Sequence, residues 1–383
     1  MIVLKNGRLI DGTGAPPVDG TTVVIRDNRI GAVTTRNESD WPGDAEIIDV
    51  GCTKGRPFAA LADVVSALRG EGHRVSIDSF EAGEVRTAVA AGAELVLSVN
   101  GSNLELAREL DATVVVIPDF GAGLESLYRN VEALARWGAR FILDPVLEPI
   151  GFGFAESMHR YHDVRGRYPE AEILMGIANV TELTEADTTG MAALLLGYCQ
   201  ELGIRYVLTT AEIPWARGAV RETDIARRLM HYAVAKKSLP KHVDSRLVTT
   251  RDPSPVAYTE AQLRQMQAQI TDLDYRIFTD GDRIHVFNAV RFVSGTDVSE
   301  IFVQLGVEEA THAFYLGKEL MKARLAVTLG KTYRQEGELS WGYLTPPEPE
   351  DAASTARRES RLRAARERAD RRRAAARRQT PRG

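Results

Sequence analysis

Val75-Ser76-Ile77-Asp78, Leu95-Val96-Leu97-Ser98-Val99-Asn100 and Val114-Val115-Val116-Ile117-Pro118-Asp119 are short apolar runs that each finish on a polar side chain. The pattern extends upstream to Ile47-Ile48-Asp49. Downstream it continues through Phe141-Ile142-Leu143-Asp144, Ile173-Leu174-Met175-Gly176-Ile177-Ala178-Asn179 and Tyr206-Val207-Leu208-Thr209-Thr210. Helix-length amphipathic stretches lie between the runs, at Phe58–Arg69, Ala82–Ala91, Leu124–Trp137 and Thr188–Leu202, and another begins near Arg217. Strands apolar on both faces are covered on both faces, and alternation with helices every roughly 18–33 residues predicts a TIM-type (β/α) barrel. In that architecture the strand ends converge on one mouth, so the terminal Asp and Asn side chains face a common pocket.

Outward from this core the composition changes twice. Residues 1–44 hold short β-prone runs broken by Asn6-Gly7, Asp11-Gly12-Thr13-Gly14 and Asp27-Asn28, which predicts an N-terminal β-segment closed by Pro42-Gly43. The barrel is expected over 45–250. Past Arg251-Asp252-Pro253, Tyr275–Phe278 and Arg283–Val286 flank Asp280-Gly281, a hairpin signal, and an apolar helix follows over Phe314–Leu329. These make 251–345 a small α/β C-terminal domain. Residues 346–383 are rich in Pro, Ala and Arg and poor in apolar side chains, which predicts a solvated, disordered tail.

The 383 residues carry a net charge of −5, so no specific nucleic-acid partner is expected. Two cysteines, Cys52 and Cys199, are too few for a disulfide framework and favour a cytoplasmic protein. No apolar run is long enough to span a bilayer, so no membrane partner is expected. The seven histidines are scattered without a pair at any strand end, so no zinc site is read from them.

The candidate site residues follow from the strand ends. Asp78 precedes Ser79, a candidate N-cap for the next helix; Asp78 itself could equally serve as a cap. Asn100 precedes Gly101-Ser102-Asn103 and reads either as a ligand or as turn chemistry. Asp144-Pro145 opens a loop with two Pro and two Gly that is longer than connection alone requires. Gly176 either lets the backbone lie close to a ligand or relieves crowding, and Asn179 offers a donor and an acceptor. A ring of carboxylates and amides suits a flat heterocycle rich in N–H donors, such as a pterin. One carboxylate can accept the 2-amino and N3–H edge of that ring in a bidentate pair.

Three motifs resemble the pterin-binding motifs of dihydropteroate synthases: Asp144-Pro145 with its Gly-Phe-Gly-Phe loop, Val75-Ser76-Ile77-Asp78-Ser79, and Ile47-Ile48-Asp49-Val50-Gly51 with Thr53-Lys54-Gly55-Arg56-Pro57. The run Gly176-Ile177-Ala178-Asn179-Val180-Thr181 is similar to the Asn loop of tetrahydrofolate-type methyltransferases. The span 45–345 looks like the related group associated with tetrahydromethanopterin-type cofactors, which carries an extra C-terminal domain. Residues 1–44 resemble the opening β-segment of amidohydrolases, yet no His-x-His zinc motif follows.

The resemblance implies that Asp78, Asn100, Asp144, Asn179 and Gly176 meet the pterin. Thr53 and Arg56 are implied for a diphosphate leaving group, with Asp78, Asp144 and Arg56 in the chemistry. It implies a transferase joining hydroxymethyl-dihydropterin diphosphate to an arylamine, in which cations or Mg²⁺ assist diphosphate departure; a homodimer is left open. Three features depart from the synthase pattern. Asn179 stands where those enzymes carry Lys, the Arg-x-His motif of the last loop is missing, and the first strand has no counterpart. The barrel therefore either lacks its own first strand or takes a substitute from the β-segment. A non-catalytic pterin-binding or carrier protein is the alternative, and a pterin-dependent methyltransferase is a third reading.

Overall fold

The computed structural model describes residues 47–53 and 55–345 with their side chains, together with the backbone of three strands near the N-terminus. Those strands, β1 (Ile2–Leu9), β2 (Val18–Arg26) and β3 (Arg29–Thr34), form an antiparallel meander. The turn sequences expected at 11–14, 27–28 and 42–43, Lys54, and the tail expected at 346–383 lie outside the described residues.

The apolar runs form a parallel sheet in chain order: β4 (Ile47–Gly51), β5 (Arg74–Asp78), β6 (Leu95–Val99), β7 (Thr113–Val116) and β8 (Phe141–Leu143). Two more parallel strands, β9 (Leu174–Gly176) and β10 (Tyr206–Leu208), pair with each other, and a single parallel bridge from Leu143 to Ile173 joins them to β8. Side-chain alternation explains why both faces had to be apolar. Val75, Ile77, Val114, Val116 and Met175 face outward, packing with Leu61, Val65, Val85, Leu127, Tyr161 and Leu195 of the surrounding helices. Leu95, Leu97, Val115, Ile117, Ile142 and Leu174 form a second cluster on the other face.

Ile47 of β4 and Tyr206 and Leu208 of β10 also join that inner cluster. The seven strands therefore curl towards one another. Among the described residues no hydrogen-bonded pairing links β10 to β4. At the N-terminal ends of the strands lies a cavity of about 820 Å³, where Arg74 pairs with Glu94 and Arg140 with Asp111.

The connecting helices are α1 (Leu61–Gly70), α2 (Ala82–Ala90), α3 (Leu124–Trp137), α4 (Phe154–Arg167), the single turn α5 (Ala178–Thr181), α6 (Thr188–Glu201) and α7 (Ala219–Lys236). Beyond them, α8 (Glu260–Gln267) precedes the expected hairpin, β11 (Arg276–Thr279) and β12 (Ile284–Phe287), which pair antiparallel. Sequence reading missed a third strand, β13 (Phe292–Gly295), and α9 (Val298–Leu305). Both are too short for periodicity to stand out. The apolar helix is α10 (Ala310–Leu329); with β11–β13 and α9 it encloses a separate core around Val286, Ile301, Leu316 and Leu320.

After α10 the chain returns to the parallel-sheet unit. Tyr343 donates its hydroxyl to Glu222 of α7 at 2.5 Å, and its backbone amide bonds Arg246 O at 2.8 Å. Lys331, 3% exposed, donates to Thr249 O and Ser340 O. Among the described residues no helix is long and apolar enough to cross a membrane.

Candidate functional site

Strand alternation decides which polar residues share the mouth. On β5 the outward Val75 and Ile77 leave Ser76 and Asp78 on the inner face, and on β4 the outward Val50 leaves Asp49 there. Ser76 Oγ donates to Asp49 Oδ1 at 2.5 Å. Burial raises the Asp49 carboxyl to about 6, against the pull of Ser76 and aided by the charge of Asp78, and burial raises Asp78 as well. The resemblance does not place Asp49 among the residues that meet the pterin. In the fold it stands beside Asp78 in the mouth.

Asp144 follows β8, where the outward Leu143 sends the next side chain inward. It is buried, and burial lifts its carboxyl to about 6 despite hydrogen bonds that favour ionisation. Tyr161 Oη donates to Oδ1 at 2.6 Å and the Val146 amide donates to the same oxygen at 2.8 Å. Among the described residues no hydrogen bond reaches Oδ2. Tyr161 was not singled out from the sequence, although it lies on the apolar stripe of the helix that follows the Asp144 loop. Arg160, its neighbour, fastens that loop by donating to Pro145 O and Val146 O at 3.2 and 2.7 Å. Val146 itself holds φ 65°, a conformation β-branched residues avoid, so the backbone beside Asp144 is strained.

Asn100, 1% exposed, follows β6. Its Oδ1 accepts from the Ser102 amide and hydroxyl at 3.0 and 2.7 Å, so the turn reading is correct for that atom. Its Nδ2 is buried without a partner. An orphaned buried donor costs about 1–3 kcal/mol and marks a place where a ligand acceptor would be welcome.

Asp119 is committed to the protein: it accepts from the Gly101 amide at 2.7 Å and from Asn130 Nδ2 at 2.9 Å, and these bonds hold its carboxyl below the usual range. A Cβ on Gly101 would lie 2.8 and 3.0 Å from the two Asp119 oxygens. Gly101→Ala is therefore expected to dislodge the clamp and destabilise the fold by about 1–3 kcal/mol. Urea denaturation measures this, and a variant of unchanged stability would refute it.

Two expectations need correction. Asn179 does not end a strand. It lies exposed in α5, and its Nδ2 donates to Leu147 O at 2.8 Å, bracing the Asp144 loop from the other side. Gly176 does end β9, and a Cβ there would have only Asn179 Nδ2 within 4 Å, at 3.9 Å, so crowding does not demand glycine. Ser79 is not the cap of α2, whose N-cap is Glu81; Ser79 Oγ instead accepts the Glu81 amide and donates to Glu84. Thr53 and Arg56 lie exposed on the β4–α1 loop and share a local turn, Arg56 N to Thr53 O at 3.0 Å. Arg221 lies over the Tyr343 ring at 5.4 Å and Arg217 is exposed.

Among the described residues no group of three or more His, Cys, Asp and Glu side chains is arranged to hold a metal.

Residues 41–120 match the family described as pterin binding enzyme. An uncharacterized protein of Methanocaldococcus jannaschii is 27% identical over 339 residues, covering 77% of this chain and 64% of its own length, so the chain spans about two thirds of that relative. The Thermus thermophilus dihydropteroate synthase in complex with 6HMPPP aligns at TM-score 0.40 and 18% identity, covering 50% of this chain and 84% of that one. The Yersinia pestis enzyme with a pterine-sulfa conjugate aligns at TM-score 0.39 and 18% identity, covering 50% and 83%. Asp49, Asp78 and Asn100 all fall within the segment that matches the pterin binding enzyme family.

Proposed function

We propose that the mouth formed by β4–β9 binds a reduced pterin and that the chain joins hydroxymethyl-dihydropterin diphosphate to an arylamine. The observation that carries this reading is the buried Asp144 carboxylate with Oδ2 unengaged, set on the same sheet as the orphaned Asn100 Nδ2. The pterin 2-amino and N3–H donors would pair with the ionised Asp144 carboxylate, a charge-assisted contact stronger than a neutral one. Asn100 Nδ2 would donate to a ring acceptor, and Asp78 would accept from a further ring N–H. Asn179 and Gly176 would flank the ring from the β9 end.

In the reaction the arylamine lone pair attacks the pterin methylene, the bond from carbon to the diphosphate oxygen breaks, and the amine proton passes to solvent or base. Thr53 and Arg56 would meet the departing diphosphate, whose charge needs donors to leave.

The second reading, a pterin-binding protein without catalysis, is favoured by Asn179, which offers no cation and spends its amide donor on Leu147 O. Incubation with hydroxymethyl-dihydropterin diphosphate and 4-aminobenzoate, followed by diphosphate release, separates the two. Release supports the transferase, binding without release supports the second reading, and no pterin binding refutes both.

A further inference from the structure

The loop between β4 and α1 carries Thr53 and Arg56, and its only internal tie at those positions among the described residues is the Thr53–Arg56 turn. It is gripped at both ends by one segment, residues 78–84. At the near end the Cys52 amide donates to Asp78 O at 3.0 Å. At the far end the Phe58 amide donates to Glu84 Oε1 at 3.2 Å. The other oxygen of Glu84 accepts from Ser79 Oγ at 2.6 Å, and Ser79 follows Asp78 directly. At the loop start, the Glu84 carboxylate also helps to keep the Cys52 thiol protonated.

We propose that Glu84 is a positioning residue that fixes the Thr53–Arg56 loop relative to Asp78, and so sets the diphosphate end of the substrate against its pterin end. This rests on the pterin reading given above. One carboxylate satisfies donors from the β4 loop and from the end of β5 while anchored in the first turn of α2, so all three move together. A carboxylate there also suits the helix terminus electrostatically. Its hydrogen bonds, that of Ser79 foremost, hold Glu84 below the usual carboxylate range, so it stays ionised at neutral pH. Burial first, and then the Glu84 contact, lift the Cys52 thiol to about 12.

The test compares Glu84→Ala and Glu84→Gln with the unaltered chain. Gln retains an oxygen for the Phe58 amide and an amide group able to donate to Ser79 Oγ. Ala should weaken binding of hydroxymethyl-dihydropterin diphosphate at least about tenfold, while hydroxymethyl-dihydropterin without the diphosphate changes less than about threefold. Gln should restore most of the loss. Independently of any ligand, Ala should speed iodoacetamide alkylation of Cys52 at pH 8 by about tenfold, because losing the carboxylate frees more thiolate; Cys199 is fully buried and gives the background in a Cys52→Ser control. Equal losses for both ligands, or an unchanged alkylation rate in a folded variant, would overturn the proposal. Failure of the unaltered chain to bind either pterin, with alkylation still responding, would instead condemn the pterin reading and leave the loop anchor standing.

Discussion

Asp144→Asn is expected to make the unliganded protein more stable at neutral pH while removing most of its affinity for a pterin. Burial raises the folded-state carboxyl to about 6 from an ordinary 3.8. The folded chain therefore holds a proton between these values that the unfolded chain releases. Stability from this group is full below about pH 4 and is lost as pH rises through 6. At pH 7.5 the buried charge costs roughly 3 kcal/mol, since each unit of pKa difference corresponds to about 1.4 kcal/mol. Asn keeps an oxygen for the Tyr161 hydroxyl and the Val146 amide, so neither donor is stranded. Urea denaturation should show the variant more stable by about 2–3 kcal/mol at pH 7.5, shrinking below about 1 kcal/mol near pH 4. A variant less stable than the parent at pH 7.5 would show that the carboxylate is not strained by burial.

The same substitution should weaken hydroxymethyl-dihydropterin binding by about a hundredfold, because a charge-assisted pair becomes a single neutral acceptor. In the unaltered protein the affinity should hold above pH 6 and fall about tenfold per unit below it, as the pterin must then displace a proton from Asp144. Asp49, raised in the same direction, should sharpen the decline if it also meets the ligand. Isothermal titration across pH 5–8 follows both effects, and a flat affinity profile would remove Asp144 from the binding site. Stability given up at a single carboxylate to hold a receptive acceptor is the pattern expected of a functional group rather than a structural one.

The second large effect is expected at Gly218, the N-cap of α7. A Cβ there would lie 1.8 Å from the Tyr343 hydroxyl and 2.6 Å from Glu222 Oε1. Backbone strain plays no part, since Gly218 sits at φ −92°. The demand is for space alone. Glu222 is buried and takes two hydroxyl donors, Thr188 Oγ1 and Tyr343 Oη, both at 2.5 Å. Gly218→Ala must push Tyr343 away, costing a hydrogen bond to a buried carboxylate and the packing of the returning chain, in sum about 2–4 kcal/mol.

Tyr343→Phe, which removes only the hydroxyl, should cost about 1.5–3 kcal/mol. Combined in one chain, the two changes should cost little more than Gly218→Ala alone, because both remove the same contact. Additive losses in denaturant unfolding would refute this account. Proteolysis near residue 343 should quicken in the glycine variant before the parallel-sheet unit opens, since the released segment is the first to expose its backbone.

Much of the fold was written in local pattern. β5, β6 and β8 fall where the apolar runs placed them, and α3 spans Leu124–Trp137 as its periodicity required. These signals are strong because a strand covered on both faces must be apolar along its length, and an amphipathic helix must repeat every three to four residues. Short elements with neither signal, β13 and α9, were invisible for the same reason. The strand-end positions were legible where alternation is regular, as for Asp78 and Asp144. They were misplaced where the chain turns early, as at Asn179, which the single helical turn α5 carries away from the strand end.

What the sequence alone determined, then, is the order of strand, polar end and helix, and with it the residues available to the mouth. What only the tertiary structure decided is which partner each of those residues keeps. Tyr161 takes one oxygen of Asp144, Asp119 is consumed by Gly101 and Asn130, Asn100 keeps a free donor, and Glu84 ties a loop 26 residues away. Tyr343 reaches Glu222 across 121 residues. Burial and hydrogen-bond partnership depend on groups brought together from distant parts of the chain, and those groups leave no periodicity for a local reading to follow.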